Sequence, residues 1–193
     1  MKRTETPIEC VMPAAGLSSR MGQWKLMLPY KGQTILDQSI ENALTFCSRV
    51  IVVAGYRGEE LQQRYQDNRD VLVVMNPHYQ QGMFGSIQLG VQQVKGDYFF
   101  ICHGDMPCIE RDTYQELWNN RGDYTLFPGT KHKAGHPVLL SAQLIADIVS
   151  QSRDGKMKKV INQKDVCYLS LQCTQIYQDV DTPEAYQYLL ENQ

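Results

Sequence analysis

Short apolar runs alternate with amphipathic stretches along the first half of the chain. Ile8 to Ala14, Arg49 to Ala54, Val71 to Met75 and Asp97 to Cys102 are rich in β-branched and aromatic residues, which predicts strands buried on both faces of a parallel sheet. Between the first two, Thr34-Ile35-Leu36-Asp37 has the form of a capping box, and Leu36, Ile40, Ala43, Leu44 and Cys47 then recur on one helical face. Gly58 to Gln66 and Ser86 to Val94 predict two further helices. Strand–helix–strand alternation at this spacing indicates βαβ units with right-handed crossovers.

Beyond residue 110 the pattern is less regular. Tyr124 to Pro128, Pro137 to Ser141 and Val166 to Leu171 predict strands. Ala142 to Ser150 and Pro183 to Glu191 predict helices, the latter with Thr182 as N-cap and Pro183 in its first turn. No repeat, low-complexity tract or Pro/Gly-rich linker divides the chain, and 193 residues suit one α/β domain, 1–193.

Composition narrows the function. With 19 Lys+Arg against 21 Asp+Glu, the net charge of −2 argues against a nucleic-acid partner bound through bulk positive charge. No apolar run approaches the roughly 20 residues that span a bilayer, so no membrane partner is expected. The polar start, residues 1–7, does not read as a signal peptide, so none is expected. The six cysteines form no Cys-x-x-Cys pair, which disfavours zinc ribbons and redox motifs; reduced thiols fit the cytoplasm.

Candidate chemistry begins after the first strand, with Ala14-Ala15-Gly16-Leu17-Ser18-Ser19-Arg20-Met21-Gly22-Gln23-Trp24-Lys25. Glycines let backbone N–H groups face an anion, and Arg20 and Lys25 add positive charge at the sheet edge where open α/β folds bind ligands. Gln23 excludes a Walker A loop, and the Gly-x-Gly-x-x-Gly dinucleotide pattern is missing. On these residues alone, a solvated turn with incidental charges competes equally.

Asp105 lies at the carboxyl end of the fourth strand, on the same edge. A lone Asp there is commonly a turn residue. Triphosphate chemistry, however, wants Mg²⁺, which takes one or two carboxylates plus phosphate oxygens. In Asp179-Val180-Asp181-Thr182-Pro183, alternation sends both carboxylates to one side, and either could join Asp105; the bland role of Asp181 is to cap the last helix. Ser86 reads first as an N-cap. His132 and His136 have zinc-helix spacing, but Gly135, Pro137 and the lack of an intervening Glu argue against that site. Residues 151–164 carry Arg153, Lys156, Lys158, Lys159 and Lys164 against Asp154 alone, either a solvated face or a basic rim for an acidic substrate.

The loop from Ala14 to Lys25 resembles the signature of the nucleotidyltransferases that handle molybdenum cofactor, most of all the cytidylyltransferase branch. The likeness continues in order through Leu28-Pro29, Thr34-Ile35-Leu36, Gly82-Met83, Ser86, Gly104-Asp105-Met106-Pro107, Gly135-His136-Pro137 and Asp179 to Pro183. It implies a three-layer, mostly parallel, Rossmann-like (glycosyltransferase A-like) fold with a nucleotide half near 7–110 and an acceptor half near 111–193.

It further implies transfer of CMP from CTP to the phosphate of molybdenum-molybdopterin. Arg20, Lys25 and Asp105 would be catalytic. Ala14, Ala15, Gly16, Leu17, Ser18, Ser19, Arg20, Gly22, Lys25, Gly82 and Ser86 would bind nucleotide. Asp105 and Asp181 would hold Mg²⁺, and His136 and Lys158 would face the acceptor. Guanylyl-transferring members carry Gly-Gly where this chain has Ala14-Ala15. Two departures stand out: Lys156-Met157-Lys158 replaces a common Gly-Ala-Arg string, and Pro13 replaces Leu or Thr. Implied recipients are molybdenum hydroxylases of the xanthine dehydrogenase kind. Two rival readings remain: a nucleotidyltransferase for sugar phosphates or methylerythritol phosphate, and a non-catalytic carrier delivering cofactor to a hydroxylase.

Overall fold

A computed structural model describes residues 6–153 and 155–192; the first five residues and Asp154, part of the polar start and of the basic run, lie outside the described residues. The chain begins with β1 (Glu9–Ala14), followed by a loop with two 3₁₀ turns and a short antiparallel hairpin, β2 (Pro29–Tyr30) and β3 (Gln33–Thr34). Then come α1 (Ile35–Leu44), β4 (Arg49–Ala54), α2 (Gly58–Tyr65), β5 (Val71–Met75), α3 (Met83–Val91) and β6 (Tyr98–Ile101). The second half contributes α4 (Arg111–Asn119), β7 (Thr125–Pro128), β8 (Val138–Ser141), α5 (Ile145–Ser150), α6 (Met157–Ile161), β9 (Val166–Leu169) and α7 (Pro183–Glu191).

Seven strands form one sheet in the order β5-β4-β1-β6-β8-β7-β9. All run parallel except β8, which is antiparallel to β6 and β7. Alternation along β1 sends Cys10 and Met12 into one apolar cluster, with Leu36 and Ile40 of α1, Leu61 of α2 and Tyr114 and Leu117 of α4. Val11 faces the opposite cluster, with Ile87 and Val91 of α3, Ile148 of α5 and Val160 of α6. The result is the expected three layers, with β1 and β6 central. Helix α3 sits so close to the sheet that a Cβ at Gly90 would lie 2.4 Å from Val11 Cγ1. Pro13 is accommodated because its missing N–H would point toward β6, whose pairing with β1 has ended at Val11 and Ile101.

Both predicted caps form. Thr34 and Asp37 complete the capping box, and Thr182 Oγ1 accepts from the Ala185 N–H at 3.2 Å. The segment expected as one helix over 142–150 opens as a 3₁₀ turn, Ala142–Leu144, and the helix expected from Ser86 begins earlier, at Met83. Unforeseen elements are the β2–β3 hairpin, α4 and α6. The apolar stripe of α4 is short, and in α6 the buried Val160 and Ile161 were masked by neighbouring lysines.

Candidate active site

The loop after β1 turns through left-handed geometry at Ser18 (φ 54°) and Gly22 (φ 67°), the latter a conformation that suits glycine. Ser18 Oγ accepts the Lys25 backbone N–H at 3.2 Å, and buried Trp24 and Leu26 pin the residues on either side of Lys25. Lys25 is thereby aimed across the sheet edge at Asp105, which follows β6. Its ammonium donates to Asp105 Oδ2 and, at 2.5 Å, to Asp181 Oδ1, while Arg20 Nη2 donates to Asp181 Oδ2 at 2.6 Å. The Val180 N–H donates to the Asp105 carbonyl at 3.0 Å, tying the two acidic segments together.

Because Thr182 caps α7, Asp181 is free for this network. Asp179 instead lines a separate cavity with Tyr30 and Cys108, so the second carboxylate touching Lys25 is Asp181. Burial opposes the charge on Lys25, yet the two carboxylates hold its pKa above the ordinary lysine value. Burial likewise opposes ionisation of Asp181, but Lys25 and Arg20 keep its pKa low. Burial, with Asp181 and Asp105 nearby, pushes Asp179 up.

A cleft of about 320 Å³ opens beside this network, lined by Ala14, Ala15, Gly16, Leu17, Ser18, Lys25, Gly82, Ser86 and Asp105 among the expected residues. Ser19, Arg20 and Gly22 are not on its wall; Arg20 reaches the site through Asp181. Ser86 is not an N-cap. Gly82 holds that position, and the Ser86 hydroxyl, in the first turn of α3, accepts from Asn76 Nδ2 at 2.9 Å. A second cleft of about 490 Å³ contains His136 and Lys158 with Phe127 and Tyr168. His132 and His136 lie in irregular chain, so no zinc helix exists there. The basic run is divided: Lys158 faces the second cleft, whereas Lys164 Nζ lies 3.8 Å from Asp147.

Sequence reasoning missed His103, which borders both clefts. Its place two residues before Asp105, at the same strand end, was the available signal. Its ring packs 4.1 Å from that of His136. Burial and nearby Lys25 lower its pKa to about 4; burial and His103 lower that of His136 to about 3.

The acidic pair suits a divalent cation. Two carboxylates converge on one positive centre, and Asp105 Oδ1 is buried without a hydrogen-bond partner. Among the described residues no group of three or more His, Cys, Asp or Glu could hold a metal ion, so a ligand's oxygens would have to complete the shell. No helix among the described residues is long and apolar enough to cross a membrane.

Known proteins resemble this chain in sequence and in fold. The chain is 40% identical over 177 residues to molybdenum cofactor cytidylyltransferase of Escherichia coli K12, covering 92% of each. A nucleotidyl transferase from Methanothermobacter shares the fold, with a TM-score of 0.82, 21% identity and coverage of 97% of this chain and 99% of that one. So does a Mycobacterium tuberculosis H37Rv protein solved as a complex with manganese, with a TM-score of 0.77, 22% identity and coverage of 97% and 100%. The family model of the MobA-like NTP transferase domain matches residues 10–167, and the chain belongs to that family of nucleotidyltransferases.

Proposed function

We propose that the protein transfers CMP from CTP to the terminal phosphate of molybdenum-molybdopterin, giving molybdopterin cytosine dinucleotide and pyrophosphate. The observation that carries this reading is Lys25 held between Asp105 and Asp181 at the end of the glycine-rich loop. The name of the Escherichia coli relative supports the choice of nucleotide and acceptor.

An acceptor phosphate oxygen attacks the α-phosphorus of CTP as the bond to the bridging α,β-oxygen breaks and pyrophosphate leaves. The attacking oxygen is already anionic, so no protein nucleophile is required, and catalysis reduces to positioning and charge stabilisation. The amides of loop residues 15–18 cradle phosphates, while Gly82 and Ser86 border the nucleoside. Arg20 and Lys25 exchange carboxylate partners for phosphate oxygens and offset the charge gathering on pyrophosphate. His136 and Lys158 face the acceptor, which is held mainly by residues 111–193, with CTP held mainly by residues 7–110. Mg²⁺ held by Asp105 and Asp181 would supply further charge neutralisation at the triphosphate. On this reading the product passes to a cytoplasmic molybdenum hydroxylase.

The test is pyrophosphate release with CTP and Mg²⁺ in the presence of molybdenum-molybdopterin, sugar phosphates or methylerythritol phosphate. Release with molybdenum-molybdopterin alone is expected. Turnover with another acceptor instead would replace the assignment, and binding without turnover would favour a carrier.

A further inference from the structure

The two clefts meet at a shared wall made by Met83 and His103. Met83 offers only a thioether and its apolar stem to that wall. His103 offers ring nitrogens. Lys25, Ser86 and Asp105 lie on the first side, and His136, Lys158 and Phe127 on the second.

The imidazole is well fixed. Its backbone is set by the turn that carries Asp105, and its ring lies 4.1 Å from that of His136 at an interplanar angle of 38°. His136 is itself oriented, with Nδ1 3.4 Å from the Ile101 carbonyl oxygen; a carbonyl only accepts, so Nδ1 carries the proton. By contrast, the His103 ring has no hydrogen-bond partner among the described residues. The residue is only partly buried and neither ring nitrogen is sealed off, so both stay open to a ligand in the clefts. Packing against His136 accounts for the tilted ring contact, and the unpaired N–H is left free at the junction for a ligand.

On the reading above, the nucleotide occupies the first cleft and a phosphate-ended acceptor enters from the second. The reacting phosphates must then meet beside His103. We infer that His103 is a further catalytic residue, donating its N–H to a phosphate oxygen at the junction of the two clefts. The residue holds the acceptor phosphate in line with the α-phosphorus. Its contact depends on both substrates, so it contributes to turnover more than to nucleotide binding.

Full-length His103→Leu, His103→Asn and His103→Gln test this. Leu keeps the bulk without a donor, whereas Asn and Gln place an amide N–H near the Nδ1 and Nε2 positions respectively. For His103→Leu, kcat should fall about 10- to 100-fold, as expected for a lost charge-assisted hydrogen bond. CTP affinity and melting temperature should remain at the wild-type level. Asn or Gln should restore part of kcat, identifying the donor nitrogen. Unchanged kcat in His103→Leu, or a loss matched by weaker CTP binding and lower melting, would overturn the inference. A wild-type protein inactive with CTP and molybdenum-molybdopterin would be a failure of the functional reading instead. His103 would still be tested by its imidazole NMR resonances, assigned by their loss in His103→Leu. CTP, Mg²⁺ and inorganic phosphate together should shift them beyond either ligand alone, and no shift would sink the proposal.

Discussion

Lys25 Nζ joins Asp105 and Asp181 at one point although they lie 80 and 156 positions away in the chain. The ammonium therefore stands where a divalent cation would be attracted, and the two compete for the same carboxylates. Lys25→Met should act in opposite directions on two measurements. Removing a positive charge beside the acidic pair should tighten Mn²⁺ binding to the nucleotide-free protein about tenfold, measured by electron paramagnetic resonance. CMP transfer should fall about 10²- to 10³-fold because a group that offsets phosphate charge is gone. Weaker Mn²⁺ binding in the variant would contradict the competition.

The acidic residues should separate by their contacts. Asp105 is buried with one oxygen unpartnered, and Asp181 meets both Lys25 and Arg20. Asp105→Asn should abolish metal-dependent pyrophosphate release while the protein remains folded. Asp181→Asn should lose at least about tenfold in kcat, and Asp179→Asn should stay within about threefold of wild type. Circular dichroism beside the kinetics checks the folding condition. Full activity in a folded Asp105→Asn protein would remove the metal assignment.

The legible parts of the sequence were those with short-range signals. The strand runs of β1, β4, β5 and β6, the Thr34–Asp37 box and the Thr182 cap needed only neighbours, and all formed. The glycine-rich loop was legible as the segment after β1, at the sheet edge where Lys25 meets Asp105. Alternation alone could not choose between Asp179 and Asp181, because the choice depends on where Lys25 and Arg20 reach in three dimensions. The direction of β8 and the contact of the His103 ring with His136 were also invisible, since both arise from packing between distant segments.

A structural ion pair lies at the opposite end of β1. Glu9, fully buried, accepts from Arg49 Nε at 2.8 Å and from the backbone N–H groups of Lys95 and Gly96 at 2.5 and 3.0 Å. Arg49→Leu would leave that carboxylate buried with its charge uncompensated. The expected cost is about 3 kcal/mol in chemical denaturation, with kcat per folded molecule unchanged, because the pair is remote from the clefts. A loss below about 0.5 kcal/mol would place this contact with the weak surface pairs.

Asp37 should make stability fall in acid. Burial raises its pKa, but Arg64, Thr34 and Tyr65 outweigh that and lower it from 3.8 to about 2. Its carboxylate accepts from Arg64 Nε at 2.9 Å, Thr34 Oγ1 at 2.6 Å and Tyr65 Oη at 2.7 Å. With the folded value below the unfolded one, the stabilisation is complete above about pH 4 and is lost as pH falls toward 2. Its size is about 1–2 kcal/mol after allowance for solvent around Arg64. Asp37→Asn should be less stable at pH 6 and should lose less stability than wild type between pH 4 and 2. Parallel curves for the two proteins would contradict the assignment.

Base selection should rest more on Ala15 than on Ala14, although both border the first cleft. Ala14 belongs to the buried cluster with Trp24, Leu26 and Leu36. Ala15 lies against the end of β4, its methyl 2.9 Å from where a Cβ on Gly55 would stand, which places it at the mouth between strands. A methyl there obstructs a purine more than a pyrimidine. One methyl-sized difference is worth only about 10- to 200-fold, so preference for CTP over GTP should be of that order. Ala15→Gly should reduce most of the preference, and Ala14→Gly, Ala15→Gly should admit GTP further. The Ala14 change should add a stability cost of about 1 kcal/mol from lost packing and added chain entropy. Competition kinetics with both nucleotides and denaturation of each variant separate the two effects. Equal use of GTP and CTP by the unmodified protein would show that the alanines do not select the base.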